Sequence, residues 1–149
     1  MAEWSANAVQ TVNPGEAVIF TDNPVPPTTN LVRHRDGTGA FLLSGVSTRP
    51  YAGCPCKKPN TTSYRVNFDA NIAVPTGEAP GEIGVAVQID GATEPTSLAA
   101  STPVAVEQFN HVGIDTDVRI WLGCCESVSV INNGTIPILI RNANIVIGK

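Results

Sequence analysis

Tyr64-Arg-Val-Asn-Phe-Asp-Ala-Asn-Ile-Ala-Val74 decides the fold. Its apolar members, Tyr64, Val66, Phe68, Ala70, Ile72 and Val74, fall on every second residue, and Pro75 ends the run. Period-two alternation puts one set of side chains on a core face and the other on the opposite face of a sheet. Gly84 to Asp90 follows the same rule through Val85, Val87 and Ile89. So do Val118 to Leu122 and Ile136 to Ile140, while Ser127 to Val130 and Asn144 to Ile147 are shorter and looser. No stretch carries helical periodicity. The chain is therefore all-β. A β-sandwich hosts many unrelated functions, so function has to be argued from sites.

Working outward, Ala8 to Val12 reads as a short edge strand, Asn13-Pro14-Gly15 as a turn and Ala17 to Thr21 as a second strand. Asn23 to Pro27 holds three prolines and is expected to be a loop. Leu31 to His34 and Ala40 to Leu43 form a hairpin across Asp36-Gly37-Thr38-Gly39. Residues 45–63 are irregular and 75–81 are turn-rich. Gly84 to Asp90 and Thr96 to Ala100 flank the Asp90-Gly91 turn. Pro103 to Phe109 and Val112 to Leu122 are expected strands. A last hairpin pairs Ser127 to Ile131 with Ile136 to Ile140 across Asn132-Asn133-Gly134, and Ala143 to Ile147 closes the chain. This gives a jelly-roll sandwich of about ten antiparallel strands. The alternative, an immunoglobulin-like sandwich, lacks its Cys…Trp…Cys spacing here.

The 149 residues fit one domain. Hydrophobic residues make up 42% and charged residues 15%, which excludes disorder and points to surface covered by partners. A net charge of −4 leaves no basic face for nucleic acid. Met1 to Asn7 has no basic-then-apolar pattern of a signal peptide, and no stretch approaches the ~20 apolar residues of a membrane span. The expectation is assembly in the host cytoplasm, with release by lysis as for a viral structural protein.

His34-x-x-Gly37-x-Gly39-x-x-x-Leu43-x-Gly45, followed by the aromatic-led Tyr64-Arg65-Val66-Asn67-Phe68, resembles the tumour-necrosis-factor-like and complement-globular-head-like jelly rolls. It looks most like their bacterial and phage branch, such as the C-terminal domains of spore-surface collagen-like proteins. The closing Ser127 to Gly134 and Asn142 to Ile147 are similar to that group as well. The resemblance covers about Ala8 to Ile147 and implies a homotrimer. The strands led by Tyr64, Val118 and Ile136 supply axis candidates: Tyr64, Val66, Phe68, Val118, Ile120 and Ile138. Which alternate set faces the partner is left open. The family's stalk is missing before the first strand, which favours a free-standing trimer decorating a particle. Residues 1–7 then form an N-terminal segment before a jelly-roll domain at 8–149. Its Trp4 either anchors the chain to a capsid or other particle protein, or packs on its own domain.

Cys54, Cys56, Cys124 and Cys125 sit in two pairs, before the Tyr64 strand and after the Val118 strand. If those strands are antiparallel neighbours, both pairs gather at one end of the sandwich. Three readings stay open. A disulfide would stabilise by about 4 kcal/mol and needs oxidising conditions. A zinc site would use four thiolates, though C-x-C and C-C are tighter than the usual knuckle spacing. The third is four reduced thiols without a role. Asp115 and Asp117 point the same way on a strand, either as a calcium site at a trimer interface or as a solvated face. His34 and His111 do not suggest a catalytic pair, and no nucleophile elbow, Walker loop or His-Glu-x-x-His occurs. Asn60-Thr-Thr and Asn133-Gly-Thr match the glycosylation pattern, the second being explained by a turn. The function expected is a non-enzymatic structural protein without a resident cofactor, decorating a phage virion or particle surface. The alternative is a module that binds a carbohydrate or cell-surface receptor through the 45–63 and 91–103 loops.

Overall fold

The computed structural model describes residues 1–35, 37–45, 61–123 and 125–149. Eleven strands follow one another among these residues: β1 (Ala2–Ala6), β2 (Gln10–Val12), β3 (Asp22–Val25), β4 (Val32–His34), β5 (Phe41–Ser44), β6 (Thr61–Ala73), β7 (Ile83–Ile89), β8 (Ala92–Ser101), β9 (Asn110–Trp121), β10 (Cys125–Asn132) and β11 (Ile138–Gly148). They form two antiparallel sheets. One runs β3-β1-β11-β6-β9, with β2 also on β11; the other runs β4-β5-β10-β7-β8. The arrangement is a jelly-roll sandwich.

The alternation read from the sequence sets the layers. Tyr64, Val66, Phe68, Ala70 and Ile72 of β6 point inward, with Val112, Ile114, Val118 and Ile120 of β9 beside them. Phe41, Leu43, Val85, Val87, Val128 and Val130 meet them from the other sheet. Strands β6 and β9 pair along their whole length, from Thr61 opposite Trp121 to Ile72 opposite Asn110. The expected antiparallel neighbours are therefore found. An aromatic cluster ties the layers together: Phe41 packs edge-on to Trp4 at 4.8 Å and to Phe20 at 5.5 Å, and Phe20 meets Phe68 at 6.4 Å. Such pairs add to simple area burial.

Asp90-Gly91 joins β7 to β8 as read, with φ of 46° and 85°. A two-residue turn with both φ positive matches the twist of the strands it joins. Ile89 and Ala92 close the ladder on either side. The β4–β5 hairpin also stands, with Val32 opposite Leu43 and His34 opposite Phe41. Its Asp36 lies outside the described residues.

Several expectations are corrected. Residues 1–7 are not a separate segment, because β1 pairs with β11 from Ala2–Ile147 to Ala6–Ala143. Asp22 to Val25 is a strand despite Pro24, because it is an edge strand whose only partner among the described residues is β1. An edge tolerates a missing N–H. Ala17 to Thr21 is not a strand: Ala17 makes an isolated bridge to Ile131. Pro103 to Phe109 is a loop: Glu107 has a φ of 57° and donates its N–H to the Val74 carbonyl at 2.8 Å. The segment at 91–103 is mostly strand β8 rather than a loop. The two closing stretches form one strand, β11, with a register shift at Asn142, whose φ is 50°.

The last hairpin is also absent. β10 pairs with β5 and β7, whereas β11 pairs with β1, β2 and β6. The chain changes sheets between them, at Asn132.

Candidate functional site

The six axis candidates are found in the interior. Tyr64, Val66, Phe68, Val118, Ile120 and Ile138 are at most 2% exposed within one chain. They build the sandwich core, so none can meet a second protomer. The same alternation sends the opposite set outward: Arg65, Asn67 and Asp69 on β6, and Asp115, Asp117, Arg119 and Trp121 on β9. Trp121 is 61% exposed. The single fact needed to select this set from the sequence was the location of the core.

On this outer face Arg65 grips Asp115 with two hydrogen bonds. Nε donates to Oδ1 at 2.9 Å and Nη2 donates to Oδ2. The hydrogen bonds from Arg65 hold the Asp115 carboxyl below the usual carboxylate range. The Asp115 and Asp117 question is thereby narrowed: one carboxylate already has a guanidinium partner. Among the described residues no group of three or more His, Cys, Asp or Glu side chains could hold a metal ion. Trp4 is buried at 2% exposure against Phe41 and the His34 ring, which is 6.0 Å away. It serves its own domain, not an anchor. His111 lies on the outer face of β9, opposite Asn71.

Cys54, Cys56 and Cys124 lie outside the described residues. Cys125 opens β10 and sits opposite Ser44. The same end holds the Tyr64 phenol, which donates to the Ser44 carbonyl at 2.5 Å. Burial pushes the Tyr64 phenol above the ordinary tyrosine value, and charge on Cys125 adds to the rise. A folded-state value above the unfolded one gives stability that is complete below pH ~10 and lost as pH rises through the folded value. Urea midpoints taken from pH 8 upward are expected to fall at the alkaline end for the native chain. Tyr64→Phe should lose about 1 kcal/mol at pH 8 and be spared that part of the alkaline fall. An equal alkaline fall in both chains would show that Tyr64 is not its source.

A groove lies on the flank of the sandwich. The sheets close against each other where β8 meets β9. On the other side, between β3 and β4, runs this groove of about 610 Å³. Trp4, Phe20 and Val32 lie beneath it, and Asp22, Asn23, Thr29, Asn30 and Arg33 line it. Gly39 lets the hairpin wall sit close. A Cβ there would meet the Val18 carbonyl oxygen at 2.2 Å, so only glycine fits.

By sequence the chain matches no protein-family model and no curated protein. Its structure is similar to that of Eiger TNF from S. frugiperda, with a TM-score of 0.65 at 10% identity, over 98% of this chain and 88% of that one. It is also similar to the globular domain of zebrafish complement 1qA, with a TM-score of 0.52 at 10% identity, over 97% and 94%. The fold is thus a jelly roll of the tumour-necrosis-factor-like and complement-globular-head-like kind. No helix among the described residues is long and apolar enough to cross a membrane.

Proposed function

We propose that this protein is a non-enzymatic assembly module, a homotrimer whose threefold contact is the outer face of the six-stranded sheet. The observation that carries this reading is Trp121, exposed by 61% beside a face whose Arg65 and Asp115 charges already neutralise each other. Aromatic residues dominate interface energetics, and a paired charge is less costly to cover than a lone one. The contact set is Arg65, Asn67, Asp115, Asp117, Arg119 and Trp121, in place of the core residues on the same strands. The role that fits such a module is decoration or reinforcement of a virion or other particle surface, where contact alone is the activity.

Light scattering on a sizing column, with and without reductant, tests it. A trimer in both states is expected, and Trp121→Glu should weaken assembly by about thirtyfold, equivalent to about 2 kcal/mol. A trimer lost on reduction would make the cysteines part of assembly. A native monomer at all concentrations overturns the reading.

A further inference from the structure

The groove on the open flank is separate from the proposed trimer face, and its lining has a chemistry of its own. One wall is the segment from Phe20 to Asn23. It is fixed to the first sheet: the Thr21 N–H donates to the Ser5 carbonyl at 3.0 Å. Gln10 clamps the neighbouring Ile19 from both sides, with Nε2 donating to the Ile19 carbonyl at 2.9 Å and Oε1 accepting the Ile19 N–H at 3.0 Å. The other wall is β4, held by β5 and by the Ser44 N–H, which donates to the Leu31 carbonyl at 2.8 Å. Both walls are therefore anchored to rigid sheets, and a site built on such elements is preorganised.

The volume is that of a small-molecule site, in the range of roughly 300–1,000 Å³. The floor is the edge of the core: Trp4, Phe20 and Val32 are 2%, 3% and 7% exposed, so the rim supplies most of the contact. The rim offers an amide at Asn30, a hydroxyl at Thr29, a guanidinium at Arg33 and a carboxylate at Asp22, while the Asn23 amide nitrogen donates to the Glu3 carbonyl at 2.9 Å and so braces the wall. Amides and hydroxyls both donate and accept, as adjacent hydroxyls on a ligand require. Arg33 and Asp22 oppose each other in charge, which disfavours a strongly anionic ligand such as a phosphate. Strand addition by a peptide is also disfavoured. β3 carries Pro24 and β4 is three residues long, so neither edge offers a ladder. Asn30 and Arg33 are exposed, and their side chains make no hydrogen bond within the chain among the described residues.

We infer that the groove between β3 and β4 binds a neutral saccharide, with Asn30 and Arg33 as its principal hydrogen-bonding residues and the Trp4–Phe20–Val32 floor beneath the ring. This differs from binding through the 45–63 and 91–103 segments, and it does not depend on the trimer.

The test is amide chemical-shift mapping of the ¹⁵N-labelled full chain. Glucose, galactose, mannose, N-acetylglucosamine, lactose and maltose would each be titrated separately, with inorganic phosphate as a further ligand. Saturable shifts at Asn23, Asn30, Arg33 and the Trp4 indole N–H are expected with at least one sugar and not with phosphate. Asn30→Ala and Arg33→Ala should each weaken that binding about tenfold while leaving the spectrum otherwise unchanged. Absence of saturable shifts with every sugar overturns the inference. So do shifts confined to other surfaces, or a response to phosphate alone.

Discussion

A chain lacking residues 1–6 is expected not to fold, rather than to fold and lose an attachment. Strand β1 fills the space between β3 and β11, so its removal takes the only partner that β3 has among the described residues and bares β11 from Ala143 to Ile147. It also removes Ala2, Trp4 and Ala6 from the core. Trp4 alone touches Phe41 at 4.8 Å and lies 6.0 Å from His34, which itself stacks 4.8 Å from Phe41. Trp4→Ala should cost about 3–5 kcal/mol through lost burial and the cavity left behind. A domain of this size is stable by only about 5–15 kcal/mol, so the full deletion exceeds or nearly exhausts that margin. Urea denaturation should show Trp4→Ala with a lower midpoint and an unchanged slope. The deletion should lack a cooperative transition. A truncated chain that unfolds like the native one would restore the reading of residues 1–7 as a detachable anchor.

Ala2-Glu3-Trp4-Ser5-Ala6 does alternate, and the structure buries its apolar members one by one. The signal was weak because two of the three are alanines, which carry little hydrophobic contrast. The long strand β6 was legible because six apolar positions in succession, led by Tyr64 and ended by Pro75, leave one reading. Pro24 misled in the opposite direction. Proline excludes a central strand, but sequence alone does not say which strands are edges. The outer-face residues were legible in the same limited sense. Alternation divided β6 and β9 correctly into two sets, yet the assignment of Tyr64, Val66 and Phe68 to the core and of Arg65 and Asn67 to the outer face needed the second sheet. The groove was not legible at all. It forms where β3 and β4, from different sheets, fail to close, and no local pattern encodes that gap.

The mistaken final hairpin leads to the other large effect, at Asn132. Asn132-Asn133-Gly134 looked like a two-strand turn, but the chain uses it to pass from one sheet to the other. Asn132 is 1% exposed and bonded in every direction. Its Nδ2 donates to the Val12 carbonyl at 2.9 Å and the Ile136 carbonyl at 2.8 Å. Its Oδ1 accepts the Gly134 N–H at 2.8 Å. Its main chain donates to Glu16 at 3.0 Å and accepts from Gly15 at 2.9 Å. One side chain therefore joins β2, the crossover and the end of β10. Asn132→Ala would leave two carbonyls and one N–H without this partner, at about 1 kcal/mol or more for each, or roughly 3 kcal/mol together.

Asn132→Asp separates hydrogen bonding from shape. The volume is kept and Gly134 retains its acceptor, but a carboxylate would face the Val12 and Ile136 carbonyls. Burial and two opposing dipoles would raise its folded pKa above the unfolded ~3.9. The sign follows: relative stability is greatest below pH ~3.9 and is lost as pH rises through the higher folded value. At pH 7 the Asp variant should be less stable than Asn132→Ala, and the order should narrow or reverse toward pH 4. The comparison is made by urea midpoints at both pH values. An Asp variant as stable as the native chain at pH 7 would mean that the Nδ2 bonds to Val12 and Ile136 do not hold the crossover.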